Sequence, residues 1–453
     1  MRVDRRSALR SLVAAWSASR LRVGAQALPE PAWLLTGAVT DHSAVVKAAF
    51  VDRPASVPPL LVSRQRDLTA ATAVPARVID APSTSYAGRT IAEYRLDGLD
   101  PAAEYFGGMR PGTGTLARFR TFGRGPCSFV AAFASCAGGT RVVPMSHVSN
   151  SGVFAALAAL DPDVFVHMGD LHYYNIPGPA RPITAVAGLF RRALDRVLSQ
   201  ERQALFYRRT PLVYVWDDHD YGTDNSDGRA PTRDAARFYY ASDIPAFPTP
   251  LSPRADGPIA QVFDIGRVRF LVTDTRSERN PATRTMLGAP QLAWLLAELD
   301  RAAAEQVPLV VWVNTVPWIT RDGDSEGWGQ FADERRRIGE HITTLGLGPR
   351  LVVLSGDAHM LAFDDGRNNP HGGFVVAQAA PLDRFLNTKG GPYSHQPADQ
   401  RNGQFGVLRV TDDGTTLTAE LQGHRYDGSR RAAPVPGVSL TIRCSGGTCR
   451  LVT

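Results

Sequence analysis

Five apolar runs in this sequence end in side chains of the kinds that bind metal ions. The runs are 129–136, 164–170, 212–220, 309–315 and 350–359, and the polar residues at or just beyond their ends are Cys136, Asp170, Tyr173, Asp217, Asp218, His219, Asn314, Asp357 and His359. A short apolar run predicts a buried strand, and ligands of open α/β sheets gather at the carboxyl ends of the strands. We therefore expect these side chains on one rim of one sheet. Because neighbouring carboxylates in a crevice stay ionised only beside a cation, the pattern predicts a metal site.

The elements that must position these residues alternate between strand and helix. The predicted strands are 128–135, 164–167, 212–216, 268–273, 309–313 and 351–355, and the predicted helices are 152–160, 187–200, 233–241, 289–304 and 333–345. Such alternation favours α/β layers with a largely parallel core. From residue 374 onward short strands return, at 405–411, 416–422 and 438–443, and we expect them to complete a second sheet.

Residues 30–123 are predicted to form a separate all-β sandwich domain. Residues 91–96 alternate apolar and polar side chains, as a half-buried strand does. The run Leu99-Asp100-Pro101, followed by Tyr105, resembles the corner before a late strand of fibronectin type III domains, where the tyrosine hydroxyl bonds back to the chain. The stretch Gly123-Arg124-Gly125-Pro126 marks the predicted boundary with a larger domain at 124–453.

The overall composition is that of a globular protein. Of the 453 residues 43% are hydrophobic and 21% are charged, and the net charge is +6. The arginines are scattered and no block of like charges occurs, so we expect no nucleic-acid partner. No stretch approaches the ~20 apolar residues of a membrane span, so we expect no transmembrane segment.

Residues 1–29 are predicted to be an export leader. Residues 4–10 read DRRSALR, which resembles a twin-arginine signal, and Ala25-Gln26-Ala27 has the pattern of a cleavage site. The resemblance implies the twin-arginine export machinery as a partner and a periplasmic or secreted location; a basic disordered leader is the alternative. Cys444 and Cys449 either pair in a small hairpin, if the compartment is oxidising, or remain two thiols in a flexible tail.

Three motifs in the second part of the chain carry a resemblance to a known family. They are the Ser-Cys pair 135–136 with the Gly-Asp-x-x-Tyr run 169–173, the Trp-Asp-Asp-His run 216–219, and the Ser-Gly-Asp-x-His run 355–359. In this order the motifs resemble those of calcineurin-like metallophosphoesterases, and within them the PhoD-type alkaline phosphatases. Relative to the general family, Asp218 replaces an asparagine, Asp357 replaces a histidine, and Ser135-Cys136 stands where an Asp-x-His is expected; the PhoD type has these replacements. The resemblance implies a layered α-β-β-α sandwich with an N-terminal all-β domain.

The resemblance also implies two or more metal ions. Asp170 would bridge two ions, the first of them held also by Cys136, Tyr173 and His359. A thiolate and a phenolate suit a strongly Lewis-acidic ion such as Fe3+. The second ion would be held by Asp218, Asp357 and Asn314, whose oxygen ligands favour Ca2+, with Mg2+ or Mn2+ as alternatives. The sequence leaves open whether Asp217 or Asp218 is the ligand.

The implied reaction is hydrolysis of phosphate monoesters, diesters or both, by a water that the ions activate. His219 is the candidate general acid, with Asp220 holding its tautomer; alternatively His219 only orients Asp218. Asn225, in a glycine-rich loop, and Arg237, on a predicted helix, are candidate substrate contacts. Two other functions remain open: a purple-acid-phosphatase-like hydrolase, and a non-catalytic protein of the same fold that binds metal or phosphate. The sequence indicates neither the natural substrate nor the oligomeric state.

Overall fold

A computed structural model of the chain describes residues 29–51, 54, 56–80, 89–112, 114–139, 147–178, 183–324, 326–429 and 431–452. The strands are β1 Trp33–Gly37, β2 Ala44–Val51, β3 Leu60–Ser63, β4 Thr72–Val74, β5 Arg77–Asp80, β6 Arg89–Leu96, β7 Glu104–Gly108, β8 Ala117–Arg120, β9 Phe129–Ala134, β10 Val164–Met168, β11 Leu212–Val215, β12 Gln261–Ile265, β13 Val268–Val272, β14 Leu309–Val313, β15 Leu351–Ser355, β16 Leu361–Asp364, β17 Val375–Ala379, β18 Gln404–Asp412, β19 Thr416–Tyr426, β20 Ala432–Ser445 and β21 Thr448–Val452. The α-helices are α1 Gly152–Leu160, α2 Ile183–Leu198, α3 Glu201–Arg209, α4 Asp218–Tyr221, α5 Arg233–Asp243, α6 Gly288–Ala304 and α7 Ala332–Thr344.

Two large sheets form the centre of the molecule. The first has the strand order β21-β20-β19-β18-β9-β10-β11-β1-β2-β6-β5, and the second has the order β12-β13-β14-β15-β17-β16. Strands β9, β10 and β11 are parallel to one another, and so are β13, β14, β15 and β17. Each sheet therefore presents several strand ends at one edge, which is where an α/β protein places its functional side chains.

The side chains of β14 show how the layers are stacked. Val311 and Val313 belong to the core that contains the first sheet, whereas Val310 and Trp312 belong to the core beneath α6 and α7. Because successive side chains of a strand point to opposite faces, one face of the second sheet packs on the first sheet and the other on helices. Helices α1 to α3 contribute to the core of the first sheet. This arrangement confirms the predicted layered α/β fold.

The strands of the N-terminal region divide between two sheets. Strands β1, β2, β5 and β6 extend the first large sheet, through a parallel pairing of Gly37 with Leu212, and β3, β4, β7 and β8 form a four-stranded sheet of their own. Tyr105 accepts a hydrogen bond from the Asp100 amide at 2.8 Å, as the corner motif predicted. The boundary at residues 123 and 124 and the assignment to fibronectin type III stay predictions.

The C-terminal strands correct one expectation. Strands β18 to β21 join the first large sheet through antiparallel pairing of β18 with β9, instead of completing a second sheet. A disulfide joins Cys444 of β20 to Cys449 of β21. The sequence left open whether these two cysteines pair. None of the helices in the described ranges is long and apolar enough to cross a bilayer. The predicted leader lies outside the described residues, apart from residue 29.

Candidate metal centre

The predicted ligands follow strand ends of both large sheets, which corrects the expectation of a single rim. Cys136, Asp170 and Asp218 follow β9, β10 and β11 of the first sheet, and Asn314 and Asp357 follow β14 and β15 of the second. Sequence alone could not separate the two sets, because all five strands are apolar runs of similar length. The site therefore lies where the edges of two packed sheets meet.

Ser135 connects the two edges. Its hydroxyl accepts a hydrogen bond from the Asp357 amide at 3.3 Å, and it lies 3.1 Å from the Cys136 sulfur. The Cys136 amide in turn donates to the Gly169 carbonyl at 3.2 Å. These contacts bring the motifs at 135–136, 169–173 and 355–359 into one place.

Three of the predicted ligands have an unusual backbone conformation. The φ angles of Cys136, Asp170 and Asp357 are 64°, 55° and 61°, in the left-handed region that costs a non-glycine residue of the order of 1–3 kcal/mol. Such strain is retained where the surrounding structure enforces it, and it clusters at functional sites. Each of the three is the second residue after a strand, so the unusual backbone lies at the strand ends where the two sheets meet.

Gly169 allows the ends of β10 and β11 to approach each other. Its φ is 84°, and a side chain built on it would place a Cβ 2.3 Å from the Cβ of Asp217 and 2.5 Å from the amide nitrogen. No side chain fits at that distance, and only glycine adopts this conformation freely. The glycine of the Gly-Asp motif is thus needed to bring Asp170 beside Asp217.

One group of potential ligands consists of Cys136, Asp170 and His359. One ligand atom from each lies within 4.8 Å of the others, and all three residues are buried. Tyr173 closes the group: its hydroxyl donates to Asp170 Oδ2 at 2.8 Å and lies 3.1 Å from His359 Nε2. The other ring nitrogen of His359, Nδ1, lies 2.6 Å from the Phe385 carbonyl oxygen, which leaves Nε2 directed at the group.

The ionisation of this group is unfavourable without a cation. Burial raises the pKa of Asp170 well above its ordinary value, and the charges of Asp218 and Asp217 raise it further. Burial likewise raises the pKa of the Cys136 thiol and of the Tyr173 phenol, and Asp170 adds to both shifts. Since a bound metal ion favours the deprotonated forms of thiols and carboxyls, a cation would reverse these shifts.

A second group is formed by Asp217, Asp218 and Asp357, again with one oxygen from each within 4.8 Å of the others. A buried guanidinium lies against it: Arg276 Nε donates to Asp217 Oδ1 at 2.5 Å, and its NH2 group lies 3.6 Å from Asp218 and 3.8 Å from Asp357. Thr315 also donates to Asp217 Oδ1, at 2.9 Å. The structure thus commits one oxygen of Asp217 to protein partners.

The charges around this group shift its members in opposite directions. Burial opposes the ionisation of Asp218, yet the charges of Arg276 and His219 and the hydrogen bond from the Asn225 amide together outweigh it, and the pKa is lowered. Burial raises the pKa of Asp357 to about 7, although Lys389, whose Nζ lies 3.5 Å from Asp357 Oδ2, opposes the rise. Lys389 is also paired with Glu326. The protein cations therefore compensate the three carboxylates only in part.

The His219 ring lies against that of the predicted ligand Tyr173, with 4.1 Å between the ring centroids. Its Nδ1 is hydrogen-bonded to Asn175 Oδ1, and its Nε2 lies 3.4 Å from Asp224 Oδ1. Burial lowers the pKa of His219, while Asp218 opposes the shift. The third group of potential ligands among the described residues consists of Asp170, Asp218 and His219, so it shares Asp170 with the first group and Asp218 with the second.

Asp220 does not hold His219, which corrects the prediction. The carboxylate of Asp220 accepts hydrogen bonds from the Asp217 amide at 2.7 Å, the Leu171 amide at 3.0 Å and the Tyr214 hydroxyl at 2.7 Å. It therefore joins the loop after β10 to the loop after β11. Within the short helix α4 its carboxylate contacts Tyr214 of β11.

Two further predicted residues are engaged elsewhere. Arg237 is buried, and its guanidinium donates to Ser277 Oγ at 3.0 Å and to Glu278 Oε1 at 2.5 Å, so it does not fit a substrate contact. The amide group of Asn314 donates to the Val316 carbonyl at 2.7 Å and accepts from Trp328 Nε1 at 2.9 Å. One lone pair of its oxygen is thus occupied by Trp328, which weakens its case as a metal ligand.

Asn225 lies at the site through its backbone. Its amide donates to Asp218 Oδ2 at 2.5 Å, while its side chain is exposed. A contact between that side chain and a substrate stays a prediction.

The sequence reasoning missed Arg276, Lys389 and Asn175. Arg276 follows β13 in the run Thr273-Asp274-Thr275-Arg276, which has the same layout as the five runs that were singled out. That pattern could have found it. Lys389 stands in a loop after β17, and no local pattern distinguishes it from other surface lysines.

The residues at this edge fit a metal centre. Asp217 Oδ2 and Asp218 Oδ1 are buried and have no hydrogen-bond partner among the described residues. Burying a carboxylate oxygen that has no hydrogen bond costs free energy, and a nearby cation is the ordinary way in which proteins offset that cost. The thiol, phenol, imidazole and carboxylate set at one end suits a Lewis-acidic transition metal, and the carboxylate set at the other suits a hard divalent cation.

The fold defines a class, that of layered α/β sandwiches, and solved structures of two phosphatases share it. The chain is similar to a solved structure of PhoD, with a TM-score of 0.66 and 16% sequence identity over 94% of this chain and 93% of that one. It is also similar to the purple acid phosphatase PPD1 from yellow lupin (Lupinus luteus) seeds, with a TM-score of 0.64 and 14% identity over 94% of this chain and 78% of that one. At these identities the likeness shows the fold alone.

The family is shown by the sequence. The model of the PhoD-like phosphatase family matches residues 131–401, which is more than half of the chain, so the chain belongs to this family. No curated protein sequence matches it. The matched range covers all the residues of the two ligand groups, from Cys136 to His359.

Proposed function

We propose that this protein is an exported, metal-dependent phosphoesterase that hydrolyses phosphate monoesters, diesters or both at a centre of two cations. The observation that carries the proposal is the position of Asp170. Its carboxylate belongs both to the group with Cys136 and His359 and to the group with Asp218 and His219, each within 4.8 Å. A carboxylate shared in this way is suited to bridging two ions a few ångströms apart.

The residues that would hold the ions follow from the two groups. Cys136, Asp170, Tyr173 and His359 would hold one ion, for which Fe3+ is the proposal, and Asp170, Asp218 and Asp357 the other, for which Ca2+ is the proposal. Asp218 is favoured over Asp217, because only Asp218 belongs both to the carboxylate group with Asp357 and to the group that contains Asp170. When bound, the ions supply Lewis acidity to the phosphoryl oxygens and lower the pKa of a water.

His219 is proposed to protonate the leaving oxygen. Its Nδ1 is held by Asn175, so Nε2 is the atom that faces outward and can carry the transferred proton. Asp224, at 3.4 Å from Nε2, favours the protonated form of the ring. Asn175 thus replaces Asp220 as the residue that sets the tautomer.

Metal analysis together with turnover tests the proposal. Protein purified from its own host is analysed for metals, and p-nitrophenyl phosphate and its bis-ester serve as substrates. Two tightly bound ions per chain with hydrolysis of either ester support the proposal. Metal without hydrolysis of any ester supports a non-catalytic binding protein. A purple-acid-phosphatase-like site would have histidines at the positions of Asp357 and Asn314, which is why that alternative is not proposed.

The location is tested separately. The twin-arginine-like run at 4–10 and the Cys444–Cys449 disulfide, which suits an oxidising compartment, support export. Replacing Arg5 and Arg6 together by lysine should retain the protein in the cytoplasm, and the Arg10→Lys variant serves as control. Equal export of all three proteins would refute this part of the proposal.

A further inference from the structure

A loop after β17 crosses the edge of the metal centre and is fixed there by its backbone. The amides of Leu382 and Asp383 donate to the carbonyls of Ser135 and Cys136, at 3.0 and 3.1 Å. At its other end, the His359 amide donates to the Asn387 carbonyl at 2.9 Å. The Phe385 carbonyl in between lies 2.6 Å from His359 Nδ1. The segment 382–387 therefore has a defined position relative to the candidate ligands.

Two consecutive apolar side chains on this loop are exposed. Phe385 is 52% exposed and Leu386 is 43% exposed. The other large hydrophobic side chains exposed in the described ranges are isolated along the chain, at Val51, Val78, Ile183, Leu205, Phe238 and Val452. Isolated exposed apolar residues are ordinary, whereas adjacent ones at the edge of a candidate site indicate a surface that a ligand covers.

Arg384 links this apolar pair to the candidate ligands. Its guanidinium carbon lies 4.0 Å from the ring centroid of Tyr173 and 4.8 Å from that of Phe385. The Phe385 ring also lies edge-on to the His359 ring, with 5.5 Å between centroids. A phosphate ester whose phosphoryl group lies near Tyr173 and His359 therefore has its organic group within reach of Phe385. The guanidinium of Arg384 would then lie between the anionic phosphoryl group and the apolar organic group of the ester.

We propose that Phe385 and Leu386 form an apolar platform that binds the organic group of the phosphate ester, and that the enzyme prefers esters with an aromatic or other extended apolar group over esters of small polyols. The inference rests on the proposed phosphoesterase function and names its substrate class. The occupant is identified by continuity with the site, because the same loop holds His359 and carries the exposed pair.

Kinetics with two esters tests the platform. The substrates are 2-naphthyl phosphate and glycerol 3-phosphate, and the variants are Phe385→Ser and Leu386→Ser, which keep the carbonyl that holds His359. If the organic group of the ester covers about half of the Phe385 ring, the affinity for that ester changes about tenfold. We expect each variant to raise KM for naphthyl phosphate about tenfold more than KM for glycerol phosphate. Phe238→Ser, a control at an exposed aromatic residue beside the N-terminal β region, should change neither.

A binding measurement separates this inference from the proposed function. By calorimetry, the wild-type protein should bind a naphthyl phosphonate more tightly than methyl phosphonate, and Phe385→Ser should remove the difference. That result without turnover of any ester would overturn the phosphoesterase function and leave the platform supported. Turnover with an unchanged KM ratio in both variants would overturn the platform. Variants that lose binding to anionic phospholipid vesicles while their KM ratio stays unchanged would also overturn the platform. That result would indicate a membrane contact instead.

Discussion

The buried pair of Arg276 and Asp217 yields the most specific prediction about stability. Both side chains are almost inaccessible, at 1% and 0% exposure, and the guanidinium lies within 3.8 Å of three carboxylates. Removing one partner of a buried ion pair leaves an uncompensated charge, at a cost of about 3–5 kcal/mol. We therefore expect Arg276→Met to lower the free energy of unfolding of the metal-free protein by about 3–5 kcal/mol. Urea denaturation in the presence of a chelator measures this loss.

A double-mutant cycle distinguishes the ion pair from a packing effect. Replacing both partners, as Arg276→Met with Asp217→Asn, removes the unpaired charge, so the double variant should regain about 2–3 kcal/mol relative to additivity. Added metal ions should also reduce the loss in Arg276→Met, because they compensate Asp218 and Asp357 and bind only the folded state. A loss below about 1 kcal/mol, or additive effects in the cycle, would refute the assignment of Arg276 as the internal counter-ion of this cluster.

Three further predictions address the ligands, the acid and the acid stability. Cys136→Ala should release one metal ion per chain and abolish nearly all turnover. Cys127→Ala, the control at the other free cysteine, should change neither metal content nor rate. Unchanged turnover in Cys136→Ala would remove Cys136 from the site. His219→Ala should keep both ions and lose rate mainly on esters with poor leaving groups, so a uniform loss across leaving groups would contradict its role as the acid. Burial opposes the ionisation of Glu93, but the buried Lys47 together with Arg77 and Arg95 outweighs it and lowers the pKa from 4.5 to about 2. A lowered pKa stabilises the fold above pH 4.5, and the effect is lost as the pH falls toward 2, so Glu93→Gln should cost about 2–3 kcal/mol near pH 7 and progressively less below pH 4.5. Denaturation curves across this pH range would show a constant difference if the reasoning is wrong.

The sequence determined the local features of the protein to a large extent. The predicted strand 309–313 and helix 152–160 have the bounds that the structure has, because an apolar run reports which residues are buried. The motifs around Cys136, Asp170 and His359 predicted side chains that the fold does bring within 4.8 Å. A strand end with polar residues is a local signal, and it needs no knowledge of the partner strand.

Tertiary structure alone decided which elements meet and which polar groups are already occupied. The division of the site between two sheets depends on pairing between distant strands, and apolar runs of similar length do not encode their partners. For the same reason the sequence predicts a hydrogen bond between Asp220 and the neighbouring His219. In the structure the carboxylate of Asp220 instead accepts hydrogen bonds from Tyr214 and Leu171. Arg237 has the sequence context of a surface residue on an amphipathic helix, and only the packing of α5 against Glu278 buries its charge. A sequence shows what chemistry a residue can do, but the contacts made on folding determine whether that chemistry is still available.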